Sequence, residues 1–179
     1  MHEAILHVRD LGHENFWRVL HDAALTDDPR QCSSALQGRT VALLMAANCA
    51  EAQLSFSAGV VQQGGNMLFL HPGQWRTDLE SIALQAQSYA AHAHLLIPHA
   101  LPQNALAVLA AQCRCPVLNG GNDKGDPCAA LADLAMMQAL TPALDTVRVA
   151  WVGGASGLAH SLIEAAIYAP FELFMALPS

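Results

Sequence analysis

The stretch Gly38–Leu70, GRTVALLMAANCAEAQLSFSAGVVQQGGNMLFL, decides the fold. Val41–Met45 is a short continuous apolar run, the pattern of a central parallel strand buried on both faces. A turn at Asn48–Gln53 feeds a helix over roughly Cys49–Gln62. Gly64-Gly65 stops that helix, and Met67–Leu70 forms a second strand. Strand, sharp turn, helix, Gly-Gly turn and strand make a βαβ unit, the seed of an open parallel sheet. The turn is where such a fold holds an anion, because the first N–H groups of a helix have no partner within it. It contains no Arg, Lys, Ser or Thr.

The same alternation continues on both sides. Phe16, Trp17, Leu20 and Ala24 recur at helical spacing and predict an amphipathic helix over Glu14–Leu25, ended by Asp27-Asp28-Pro29. A helix over Glu80–Ala91 leads to a third strand, Leu95–Ile97, stopped by Pro98. A helix over Pro102–Gln112, with proline in its first turn, leads to Cys115–Leu118. The Gly/Asn/Asp-rich loop Asn119–Asp126 precedes an Ala/Leu/Met helix, Pro127–Leu140. Beyond the break at Thr141-Pro142, a strand Val147–Val152, a helix Leu158–Tyr168 and a strand Phe171–Ala176 are expected. The pattern predicts an α/β fold: an open parallel sheet with helices on both faces over residues 1–140, then one extra βαβ unit over 141–179. A lone βαβ unit cannot bury its own sheet, so Val147–Ala176 is expected to leave apolar surface that serves as an interface.

Composition narrows the function. The chain has 179 residues, 53% apolar and 13% charged, enough for one sizeable domain and part of a second. Its net charge of −7, with no Lys/Arg cluster, argues against a nucleic-acid partner. No apolar run approaches the ~18 residues of a membrane span, and Met1–Trp17 does not have the form of a signal peptide. Five cysteines at irregular spacing fit a reducing compartment, so a cytoplasmic location is expected. His92 and His94 have the spacing of one strand face and His99 follows. No Cys or carboxylate lies at matching spacing, so no metal is expected. Cys113-x-Cys115 is not a redox pair, and Glu51 opposes activation of Cys49 at the helix start. Gly153–Gly157 superficially has the form of a dinucleotide loop, but too little chain follows it to build a nucleotide site, and no cofactor is expected.

Four landmarks in order resemble the aspartate/ornithine carbamoyltransferase family: Gly38–Leu44 with Leu54-Ser-Phe56 and Gly64-Gly65; Glu80-Ser81-Ile82; Asp126-Pro-Cys-Ala-Ala-Leu-Ala-Asp-Leu134; and Val149-Ala-Trp-Val-Gly153 with Ala159-His160-Ser161. The resemblance runs over about Leu36–Pro178. It implies a carbamoyl-phosphate-binding domain plus the first βαβ of an amino-acid-binding domain. It further implies a homo-oligomer, a trimer or a dimer of trimers, or a hetero-oligomer with another protein. The loop containing Gln74, Trp75 and Arg76 would then reach a neighbouring subunit's active site.

The departures are all polar. The family holds the phosphate with a Ser-Thr-Arg-Thr-Arg turn; the matching positions here are Cys49, Ala50, Glu51, Ala52 and Gln53. The family's Arg at the end of the third strand aligns with Pro98. The His and Gln of its His-Pro-Cys-Gln signature align with Asp126 and Ala129, and its substrate-contacting Asn with Gly157. Asn48-x-x-Glu51 has the form of a capping box, which would satisfy the helix N–H groups from within. The expectation is a degenerate, inactive family member kept for assembly or regulation. The alternatives are an active carbamoyltransferase, moving a carbamoyl group from carbamoyl phosphate to an amino-acid amine, and a binder of a small amine or guanidine in an acidic pocket of Glu51, Asp123 and Asp126.

Overall fold

The computed structural model describes residues 4–25, 33–141 and 143–178. Asp27-Asp28-Pro29 and Pro142, expected to end one helix and break another, lie outside the described residues. The elements are β1 (Ala4–Ile5), α1 (Gly12–Leu25), β2 (Thr40–Met45), α2 (Ala50–Gln62), β3 (Asn66–Leu70), α3 (Leu79–His92), β4 (Leu95–His99), α4 (Gln103–Gln112), β5 (Val117–Leu118), α5 (Pro127–Leu140), β6 (Arg148–Val152), α6 (Gly157–Ala165) and β7 (Glu172–Ala176). Short 3₁₀ turns at Val8–Leu11 and Leu144–Thr146 connect them.

Five strands form one parallel sheet in the order β1-β5-β4-β2-β3, and β6 and β7 form a separate parallel pair. Because side chains alternate along a strand, β2 feeds two cores. Ala42 and Leu44 pack with Ile82, Ala86, Leu106 and Leu109 of α3 and α4, while Val41, Leu43 and Met45 pack with Val60 and Phe56 of α2. A third cluster joins Phe16 and Leu20 of α1, Ala130 and Leu134 of α5, and Leu162 and Ala165 of α6. The β6–β7 pair turns Val149, Trp151 and Leu173 toward this cluster and leaves Val152 and Phe174 outward, 82% and 55% exposed.

Three expectations are corrected. Pro98 does not stop the third strand: it pairs with Leu44 inside β4, and His99 continues the register opposite Met45. The last helix ends at Ala165, three residues before Tyr168. His92 closes α3 while His94 precedes β4, so the two do not share a strand face.

Polar contacts, besides the shared cluster, hold the β6–α6–β7 segment to the rest of the chain. The Ser161 hydroxyl accepts from the Asp126 N–H at 2.9 Å, and the Tyr168 hydroxyl donates to the Arg9 carbonyl at 3.1 Å. Glu164 lies 3.4 Å from both His7 and Arg9.

Candidate functional site

The strands of a parallel sheet all present their C-terminal ends on one side, where ligands of open α/β folds bind. Here the N-terminus of α2, the end of β4 and the N-terminus of α5 enclose a cleft of about 330 Å³. It brings Cys49, Glu51 and Ala52 together with His99, Asp126 and Ala129. Asn48, Ala50 and Gln53 belong to the same turn without lining the cleft. Asp123 lines an adjoining recess that also contains His99 and Asp126.

The α2 turn is not filled from within. Its N-cap is Cys49, in extended backbone and without a side-chain cap. The helix starts at Ala50, so the Asn48/Glu51 pair sits one residue too early to close a capping box, and Asn48 and Glu51 are both exposed. The first-turn carboxylate of Glu51 suits the positive end of the helix dipole but repels an incoming anion.

The self-capped helix is α5. Asp126 is its N-cap, and its carboxylate accepts from the Ala129 N–H at 3.1 Å. Gly121, at φ +111°, lets the loop backbone lie against this carboxylate; a Cβ there would come within 2.8 Å of Asp126 Oδ2. Buried Asn119 shapes the loop, donating to the carbonyls of Leu6 and Gly125 and accepting from the Gly121 N–H. Burial pushes the Asp126 carboxyl above the usual carboxylate range, against the pull of the Ala129 N–H and of His99. Burial likewise raises the Asp133 carboxyl and drives the Cys128 thiol up to about 12, so Cys128 is not an activated thiolate.

His99 is the site residue that alignment by motif missed. Leu95 and Ile97 face the α2 side of the sheet, and the two-residue period puts His99 on that side and Pro98 on the other. The strand-end residue at the cleft is therefore His99. Its Nδ1 is buried without a hydrogen-bond partner. Burial lowers its pKa while the Asp126 carboxylate raises it. Ala100 follows at φ +58°, a conformation uncommon outside glycine and one found at sites where the chain must turn sharply.

Two other expected site groups lie elsewhere. Gly157 does not line the cleft; it is buried against the Asn122–Gly125 turn. Trp75 is buried within its own chain, where its indole N–H donates to the Met45 carbonyl at 2.8 Å, so it is not available to a neighbour. Gln74 and Arg76 are exposed, but Gln74 accepts from the His71 N–H and Arg76 pairs with Asp78 at 3.0 Å. The Ser81 N–H, with that arginine, holds the Asp78 carboxyl down to about 2. Among the described residues, no group of three or more His, Cys, Asp or Glu side chains converges as a metal site, and no helix is long and apolar enough to cross a membrane.

A model of the aspartate/ornithine carbamoyltransferase carbamoyl-phosphate-binding domain matches residues 3–139. The chain belongs to the aspartate/ornithine carbamoyltransferase family. The ornithine carbamoyltransferase of Oleidesulfovibrio alaskensis is 35% identical over 172 residues, 96% of this chain and 57% of that one. That of Bacillus subtilis is 29% identical over 160 residues, 89% of this chain and 50% of that one. The solved ornithine carbamoyltransferase of Thermus thermophilus superposes with a TM-score of 0.91 at 22% identity, over 100% of this chain and 63% of that one. The Pyrococcus furiosus enzyme gives 0.91 at 24% identity, over 99% and 58%. These likenesses establish the fold. The chain spans about half the length of the curated relatives it matches. Against the family's phosphate turn, this carbamoyltransferase-family cleft offers two carboxylates and a desolvated imidazole.

A carboxyl whose folded-state pKa is raised loses stability as pH rises from the unfolded carboxylate range through the raised value, because the fold disfavours its charged form. Asp126→Asn keeps an N-cap acceptor and removes that charge. The variant is expected within about 1 kcal/mol of the parent at neutral pH, with a flatter loss of stability above the acidic range. Without the Asp126 carboxylate, His99 should titrate at still lower pH, read from its imidazole NMR signals.

Proposed function

We propose that this carbamoyltransferase-family chain does not transfer carbamoyl groups and serves in oligomeric assembly or regulation. The observation that carries the reading is the cleft itself. Among the described residues, Glu51 and Asp126 line it and no Arg or Lys does. Carbamoyl transfer depends on donors that stabilise charge on the carbonyl oxygen and the phosphate leaving group, and loss of one such donor costs roughly 10²–10³ in rate. The exposed apolar side chains of the second unit, Val152, Ile167 and Phe174, support a role in association, as homo-oligomer or with another chain. The test is a turnover assay with carbamoyl phosphate and either ornithine or aspartate, paired with native mass measurement. The expected result is no carbamoylated product above the uncatalysed rate and a defined oligomer. Turnover that Glu51→Ala abolishes would overturn the reading.

A second reading has its own observation. Glu51 and Asp126 share one small cleft, and Asp123 lies in the adjoining recess, an arrangement suited to a small amine or guanidine. Calorimetry with ornithine and arginine tests it: saturable binding lost in Glu51→Gln supports this reading, and no heat excludes it.

A further inference from the structure

The opposite end of the sheet holds a second recess, of about 490 Å³, that shares no lining residue with the cleft. It lies where β2 and β4 begin and where the chain approaches β5, and its polar groups are Arg39, His94 and Arg114. Among the described residues no acidic side chain lines it, although the chain as a whole carries a net charge of −7. Arg9, Arg76, Lys124 and Arg148 each lie beside a carboxylate. Among the described residues, Arg18, Arg39 and Arg114 have no such partner, and two of these three line the recess.

The third group is oriented by the backbone. The Thr40 N–H donates to His94 Nδ1 at 3.0 Å, so a neutral His94 ring carries its proton on Nε2 and has a donor to offer. Leu36, Val41, Leu95 and Pro116 supply an apolar wall beside the three polar groups.

We infer that this recess binds a small phosphomonoester with an apolar body. Two guanidiniums match the two charges of a phosphate dianion. Their forked N–H groups, with one imidazole N–H, match its three terminal oxygens better than the two of a carboxylate. The apolar wall gives the organic part of the ligand a place that free phosphate would leave empty. The site is separate from the cleft and does not depend on whether the cleft is active. In an assembly or regulatory protein, it would be the place where a metabolite is sensed.

Phenyl phosphate is the probe, titrated into the full chain at low ionic strength and followed by backbone NMR shifts and calorimetry. Saturable binding is expected, with shifts at Arg39, His94, Leu95 and Arg114, and at least about tenfold tighter than inorganic phosphate. Replacing both Arg39 and Arg114 by Gln should weaken it by at least about tenfold. The double variant Arg18→Gln/Arg148→Gln removes the same charge elsewhere and should leave it unchanged. Three results would each overturn the proposal: no saturation by about 10 mM, an equal loss in the control variant, or equal affinity for inorganic phosphate.

Discussion

Gly157→Ala is expected to destabilise the protein by about 3 kcal/mol or more, the upper end of what overpacking costs, because the obstacle is backbone. A Cβ at this position would lie 1.9 Å from the Asn122 carbonyl oxygen and 3.0 Å from the Gly125 carbonyl carbon. That turn has little freedom to yield. The Asn122 N–H donates to the Gly125 carbonyl, the Asn122 side-chain oxygen accepts from the N–H groups of Lys124 and Gly125, and its amide donates to Leu101 and Gln103. The strain is relieved by moving α6 away, which breaks the Ser161–Asp126 hydrogen bond and separates Glu164 from His7 and Arg9. Chemical denaturation should show an early loss of the second unit. A midpoint close to the parent's would mean that the turn adjusts and that the docking is looser than described. The resemblance placed the family's substrate-contacting Asn at this position; here the Asn122 carbonyl lies where a side chain at 157 would begin.

Regrafting the family's turn should produce the largest gain. The five-fold variant Cys49→Ser, Ala50→Thr, Glu51→Arg, Ala52→Thr and Gln53→Arg replaces a carboxylate with guanidiniums and hydroxyls at a helix start that no side chain caps. Each charge-assisted hydrogen bond contributes about 1.5–3 kcal/mol. Carbamoyl phosphate affinity should therefore rise by at least about two orders of magnitude over the parent. No turnover is expected from the graft, because Asp126 and Ala129 still stand where the family has His and Gln. A folded graft that binds no better than the parent would show that more than the turn has been lost.

The sheet was legible where the pattern was local and strong. The apolar run of β2, the Gly64-Gly65 stop and the Pro127 start of α5 each have one dominant cause. The two residues of β1 carry no period of their own and exist because Ala4 and Ile5 pair with Val117 and Leu118, more than a hundred residues away. Pro98 misled because proline usually ends a strand, yet here it occupies a position inside the ladder with His99 beyond it. The site was legible as a set of missing groups and less so as a geometry. Which helix would be self-capped depended on a one-residue shift at Cys49; Pro127 in the first turn of α5 marked Asp126 as a cap, whereas no such neighbour fixed the start of α2 relative to Asn48. The signal for His99 was present as strand alternation, and motif alignment passed over it.

The most direct test of the account is calorimetric titration of the unaltered chain with carbamoyl phosphate at neutral pH and low ionic strength. The cleft presents Glu51 and Asp126 where the family presents cations and neutral donors, so no saturable heat is expected from the cleft. Any weak phosphate heat from the recess at the other end of the sheet should vanish in Arg39→Gln/Arg114→Gln. Saturable binding that survives that double variant, and is lost when Glu51 or Asp126 is replaced, would contradict the account: this cleft would then hold the family's substrate by other means.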